Sequence, residues 1–217
     1  MALFVDRVSA GVELADALAA HRGTDAVVVG IPRGGVVVAA TVADRLRLPL
    51  AAIAVRKLGA PGREEYALGA IAAGVRVVDE DAVRAERVSA EQIAEVEARE
   101  KAELRRRAEL FTHGPGVEAR AALVVDDGLA TGATANAACR AVRKLGARRV
   151  VLAVPVAPAR WHPVPGLVDD YVCPHREREF WAVGAFYDDF AQTTDAEVVS
   201  LLRDRRDEPR TDGVSPA

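Results

Sequence analysis

The sequence predicts an α/β fold with a central, mostly parallel sheet flanked by helices, on three observations. Short apolar runs without polar alternation, at 26–31, 121–125 and 149–155, read as strands buried on both faces. Helix-spaced stretches alternate with them, the order that builds parallel sheets. Of the 217 residues 50% are hydrophobic but only 5% aromatic, so alanine and valine build most of the core. That length fits one sizeable domain with a small appended subdomain.

Taken in order, Val8, Val12, Leu14 and Leu18 recur at helical spacing within 4–20, with Ser9 as the expected cap. Ala26-Val27-Val28-Val29-Gly30-Ile31 is a compact strand, broken by Pro32-Arg33-Gly34-Gly35 before helical spacing resumes over 36–46. Residues 50–55 give a third strand, ending in Arg56-Lys57. The polar, glycine-bearing run 58–66 reads as a mobile loop, and apolar β-like runs follow at 67–71 and 75–78. Ser89-Ala90-Glu91-Gln92 matches a capping box. It opens a long, charge-laced helix to about Leu110, expected as scaffold or as a homo-oligomer contact and ended by His113-Gly114-Pro115-Gly116. After the strand at 121–125, a helix runs to Leu145 and gathers Arg143, Lys144, Arg148 and Arg149 near its end, where cations complement the dipole. A strand at 149–155 follows. Trp161, Phe180, Trp181, Phe186 and Tyr187 crowd the last third, either to plug a small subdomain or to stack a flat ligand. Residues 203–217 are charged and poor in apolar side chains, as in a disordered tail.

The formal net charge of -3 argues against nucleic acid or a membrane as partner, since both need a basic excess. Two cysteines, one of them inside a helical pattern, make no disulfide framework and point to a reducing compartment. No charged-then-apolar leader is evident, and no apolar run approaches the roughly 18 residues of a membrane span, so a cytoplasmic protein is expected. Cys173, His175 and His162 match no usual four-ligand zinc spacing.

The most informative stretch is Ala121 to Thr134, which passes from buried strand to acidic pair to small-residue loop to helix start. Ligands of parallel sheets sit at the carboxyl ends of strands, and Asp126 and Asp127 arrive there. Two adjacent carboxylates call for donors such as a vicinal diol, or for a divalent cation. Ala130-Thr131-Gly132-Ala133-Thr134 then brings backbone N–H groups and a positive helix end toward an anion. At the other turn, Gly34 and Gly35 allow close backbone approach and Arg33 adds a forked cation suited to phosphate. No G-x-x-x-x-G-K-[ST] sequence occurs, which removes the P-loop reading of the acidic strand. Purely structural strand-to-helix joints are the other reading of both turns.

The 121–134 run resembles the phosphoribosyl pyrophosphate (PRPP) signature of type I phosphoribosyltransferases, and Ile31 to Gly35 resembles their pyrophosphate loop, which often contains a strained or cis peptide. The resemblance covers roughly 26–156, and overall the chain is most similar to bacterial phosphoribosyltransferase-domain proteins of unassigned acceptor. It implies transfer of the 5-phosphoribosyl group from PRPP to a nitrogenous base, with Mg²⁺ as cofactor and pyrophosphate released, as in purine or pyrimidine salvage. By that resemblance Asp126 and Asp127 hold the ribose hydroxyls and, through water or the ribose, Mg²⁺. Gly128, Leu129, Ala130, Thr131, Gly132, Ala133 and Thr134 bind the 5-phosphate side, and Pro32, Arg33, Gly34 and Gly35 the pyrophosphate. Lys57 and Arg63 belong to a loop that closes over PRPP, and Arg33, Lys57, Asp126 and Asp127 form the catalytic set. The implied domain spans 1–202, its core about 22–156 and its hood the N-terminal segment with 157–202, leaving 203–217 as tail. Ala130 stands where enzymes acting on hypoxanthine and guanine typically carry an acid, so the loop looks more like the adenine or uracil type. Glu64, Glu65, Asp188 and Asp189 are conceivable proton handlers. A PRPP-binding regulator without turnover is the alternative, against which Lys57 and a water-excluding lid count.

Overall fold

The computed structural model describes residues 2–111 and 114–204. Helix α1 (Arg7–Ala17) leads to strand β1 (Val27–Gly30), α2 (Gly34–Leu46) and β2 (Leu50–Ala52). An antiparallel excursion follows: β3 (Val55–Ala60), β4 (Arg63–Ala72) and β5 (Val75–Val78), then α3 (Glu80–Ala85) and α4 (Ala90–Phe111). The chain returns through β6 (Ala121–Val125), α5 (Ala133–Lys144) and β7 (Arg149–Ala153). It closes with β8 (Val156–Pro158), β9 (Asp170–Val172), β10 (His175–Glu177) and α6 (Asp195–Asp204).

The central sheet has five parallel strands in the order β2-β1-β6-β7-β9. Both faces are covered, which is why its strands carry no polar alternation. Val27, Val29, Ala122, Val124, Val150 and Leu152 face α5, while Val28, Leu123, Val125, Val151 and Ala153 face α2 and α6. Helix α6 belongs to that second layer through Val198 and Leu202, both buried. It includes Arg203 and Asp204, the first two residues of the expected tail; 205–217 lie outside the described residues, as does His113.

Three local expectations change. The N-cap of α1 is Asp6, whose side chain accepts from Ser9 N–H while the Ser9 hydroxyl closes the capping box at the third helical position. Residues 50–55 divide between two sheets, β2 ending at Ala52 and β3 beginning at Val55. The run 58–66 is a hairpin turning at Pro61-Gly62, not a loop, because apolar residues within it are core: Leu58 and Ala60 are buried against α3 and α4, as is Leu68 just beyond it. The capping box at Ser89 and Gln92 is present as expected.

The N-terminal segment runs beside 186–189, with Leu3 N–H and Phe4 N–H on Phe186 O and Asp188 N–H on Phe4 O. Phe4, Tyr187, Phe180, Phe186 and Phe190 cluster there. Cys139 and Cys173 are free thiols, and burial pushes Cys139 up to about 12. Among the described residues no helix is long and apolar enough to cross a membrane.

Candidate active site

Strands β1 and β6 are neighbours in register, Gly30 beside Val125, and Ile31 N–H donates to Val125 O at 2.9 Å. Beyond β1 lies β2 and beyond β6 lies β7, so the connections diverge at this pair. Such a switch point opens a crevice at the carboxyl ends of the strands. Both turns singled out in the sequence emerge there.

The first turn contains a cis Pro32–Arg33 peptide and lies directly against the acids. A Cβ on Gly34 would stand 2.0 Å from Asp127 Oδ2, and one on Gly35 2.8 Å from Asp126 Oδ1, closer than atoms pack. Only glycines let the two loops meet. The Arg33 side chain reaches Asp195 at the start of α6, its Nη1 3.8 Å from Oδ1. Asp195 also pairs with Arg106 at 3.0 Å.

The two carboxylates differ. Asp126 Oδ1 accepts Asp127 N–H at 2.9 Å, and burial pushes its carboxyl well above the usual range, with the Asp127 charge adding to the rise. Burial raises Asp127 too, but Arg7 opposes it by donating Nε–H to Oδ2 at 2.8 Å. Arg7 is itself fixed, donating to Ala191 O at 2.8 Å with its guanidinium 3.9 Å over the Phe190 ring. Tyr187 O–H donates to Asp127 O at 2.6 Å. The hood thus supplies the cation and the hydroxyl that hold the second acid.

Beyond the acids, Gly128 is buried under Val183. Leu129 turns into the core and gives its N–H to Val156 O at 3.0 Å, so it buttresses the loop. Ala130 and Thr131 are exposed, Gly132 (φ 78°) caps α5, and Ala133 and Thr134 are half-buried. The helical ladder starts with Asn136 N–H on Gly132 O at 2.8 Å, so Ala133, Thr134 and Ala135 have N–H groups without helical partners. Trp161 braces this loop, its indole N–H donating to Thr131 O at 3.1 Å and its ring against Gly132. It packs edge-on to Tyr171, whereas Trp181 is 92% exposed.

The structure therefore brings Pro32–Gly35 together with Asp126–Thr134. Lys57 sits on the separate antiparallel sheet, in β3 opposite Ala70. Arg63 pairs with Glu86 at 2.8 Å at the hairpin's far end, where Glu64 is exposed; the Glu65 side chain lies outside the described residues. Asp188 and Asp189 lie beside the N-terminal segment, and Asp189 Oδ1 accepts Ala191 N–H. Sequence reasoning missed Arg7, Tyr187 as a donor to the acid loop, and Asp195. The one available signal was electrostatic: a buried acidic pair needs a cation, but nothing local names Arg7, which stands 120 positions from its partner.

A family model described as phosphoribosyl transferase domain matches residues 10–190. A Mycobacterium tuberculosis H37Rv protein with the provisional name phosphoribosyl transferase Rv0571c is 48% identical over 210 residues, 93% of this chain and 47% of that protein. A relative in strain CDC 1551, provisionally named phosphoribosyl transferase MT0597, matches to the same extent. The chain spans about half the length of these curated relatives. The crystal structure of TT1426 from Thermus thermophilus is 41% identical, with a TM-score of 0.71 over 93% of this chain and 98% of that one.

Proposed function

Because the chain belongs to the phosphoribosyl transferase domain family, we propose that it moves the 5-phosphoribosyl group of PRPP to a nitrogenous base and releases pyrophosphate. The observation that carries this reading is the contact between the Arg33-Gly34-Gly35 turn and the acidic pair, beside open N–H groups of α5. One crevice thereby offers acceptors for a diol flanked by two sets of anion-binding donors.

In the reaction, the bond from sugar C1 to pyrophosphate oxygen breaks with its electron pair on the oxygen. A bond from C1 to the acceptor nitrogen forms, and that nitrogen loses a proton. Asp126 and Asp127 hold the ribose hydroxyls, and their negative charge favours the cationic character that develops on the sugar. The N–H groups of Thr134 and Ala135, joined by that of Ala133 as it leaves the Thr131 hydroxyl, receive the 5-phosphate, while backbone at Gly34 and Gly35 and a reoriented Arg33 receive the pyrophosphate.

Among the described residues no group of three His, Cys, Asp or Glu side chains could hold a metal ion. Two carboxylates, one already held by Arg7, suit Mg²⁺ carried mainly by substrate oxygens and water. There it would neutralise charge on the leaving pyrophosphate.

The second reading, PRPP binding without turnover, gains from one observation: the 58–66 segment is a packed hairpin and not a free lid, so that argument for an enzyme is weaker. Purified protein mixed with MgPRPP and a panel of purine, pyrimidine and pyridine bases decides between them. Base-dependent pyrophosphate release is expected; PRPP binding without release for any base would favour the regulator, and no PRPP binding would end both.

A further inference from the structure

Away from the crevice, a second cavity of about 600 Å³ opens between the β4–β5 turn, the last turns of α5 and the 164–167 loop. Its charged lining is Arg76, Arg140, Arg143 and Lys144, with no carboxylate among the lining residues. Helix-dipole complementarity explains one or two cations at the end of α5, but not Arg76, which comes from β5, nor the concavity.

The ion pairs leave charge over. Arg143 pairs with Asp169 at 2.7 Å and Arg76 with Glu97 at 2.7 Å. Lys144 meets only an uncharged group, Gly74 O at 2.7 Å, and Glu97 is shared with Lys101. Arg140 is exposed and makes no ion pair among the described residues. Two positive charges thus stay unneutralised in one hollow of a chain whose net charge is -3. The rest of the lining is apolar, from Val75 and from Val164, Pro165 and the buried Leu167 of the 164–167 loop.

We propose that this cavity binds an oligophosphate ester with a flat apolar part, of the size and chemistry of a nucleoside triphosphate. Its phosphates meet Arg140 and Lys144, and its ring lies on the Val164-Pro165 wall; small-ligand pockets typically span about 300–1,000 Å³. Arginine forks and lysine are the natural partners of phosphate oxygens. The ligand sits at the far end of α5, roughly 10–16 Å along the axis from the N–H groups of Ala133 to Ala135, and does not depend on what occupies the crevice.

Equilibrium dialysis of the full chain with labelled ATP and GTP, and with tripolyphosphate as competitor, tests this. Saturable nucleotide binding tighter than about 1 mM is expected, weakened at least about tenfold in Arg140→Ala and further in the Arg140→Ala/Lys144→Ala pair. It should persist in Asp126→Asn/Asp127→Asn, which disables the crevice. Arg140 is exposed and has no ion pair to lose among the described residues, so its variant keeps the fold. Absent nucleotide binding, unchanged binding in both cation variants, or loss in the acid-pair variant would overturn the assignment. Tripolyphosphate displacing ATP at equal concentration would remove the role of the apolar wall.

Discussion

The two halves of the site at the switch point, the acidic pair with Arg33 and the start of α5, are built in opposite ways. On the acidic side every strong group already has a partner: Asp127 has Arg7, Asp126 has a backbone N–H, and Arg33 leans on Asp195. On the other side the start of α5 holds the N–H groups of Thr134 and Ala135 open and that of Ala133 only on the Thr131 hydroxyl at 3.5 Å, with exposed Ala130 and Thr131 in front of them. An anion can enter the second half by displacing one long contact to the Thr131 hydroxyl, whereas a ligand at the first must share or replace the short contacts the free protein has made. The α5 end is thus preorganised and the acidic end is charge-compensated. The compensating groups come from the segments that cover the site, Arg7 of α1 and Asp195 of α6.

The sharpest way to break this contrast is to remove the compensating cation. Arg7→Met leaves Asp127 buried beside Asp126 without a counter-charge, and breaking such a pair costs about 3–5 kcal/mol. A fall in unfolding free energy of about 3 kcal/mol is expected in denaturant titrations, given that both side chains keep some exposure. A loss below about 1 kcal/mol would mean that solvent, not Arg7, neutralises the acid. Next, Asp126→Asn/Asp127→Asn should weaken PRPP binding about 100-fold, because two charge-assisted hydrogen bonds to the diol are each worth about 1.5–3 kcal/mol. Unchanged affinity by calorimetry would defeat the assignment of the sugar to this corner.

The pH dependence separates the halves further. The folded Asp126 carboxyl titrates well above its unfolded value, because burial and the Asp127 charge disfavour ionisation. The folded state therefore binds the proton more tightly than the unfolded one, and stability falls as pH rises from the unfolded value through the folded one. Asp126→Asn should remove its share of that fall, Asp127 keeping its own, so the variant gains stability over the wild type above the folded Asp126 value and none at about pH 3.5. PRPP affinity moves the other way in the wild type, rising with pH over the same window, since the diol needs ionised acceptors. Parallel pH profiles of melting temperature for the two proteins would contradict the buried-acid account.

Much of this was legible in sequence because the residues concerned act locally. A strand buried on both faces shows as an unbroken apolar run, so β1, β6 and β7 were found, and turns at their ends carried the motif residues with them. What escaped depended on distant packing. The three-residue β9 is too short for any periodicity to mark it as a sheet strand. The 58–66 part of the β3–β4 hairpin reads as a loop because Gly59, Pro61 and Gly62 outweigh Leu58 and Ala60, whose burial is decided by α3 and α4. Arg7 follows a helix cap and looks like any solvated arginine until the hood docks it onto Asp127.

The smallest effect belongs to the open half. Trp161 braces the Thr131–Gly132 backbone with one hydrogen bond of 3.1 Å and an edge contact to Tyr171 at 5.3 Å. Trp161→Phe keeps most of the ring and loses the N–H, so the cost to stability should be about 1 kcal/mol, the usual net worth of such a bond. The N–H groups of Ala133 to Ala135 are fixed by the helix itself, whose ladder begins at Asn136, so the loop keeps its donors when the brace weakens. PRPP affinity should then fall no more than about fivefold, which corresponds to roughly 1 kcal/mol. A fall as large as that of the acid-pair variant would place the order of this corner in the indole and not in α5, and the two halves would no longer differ in kind.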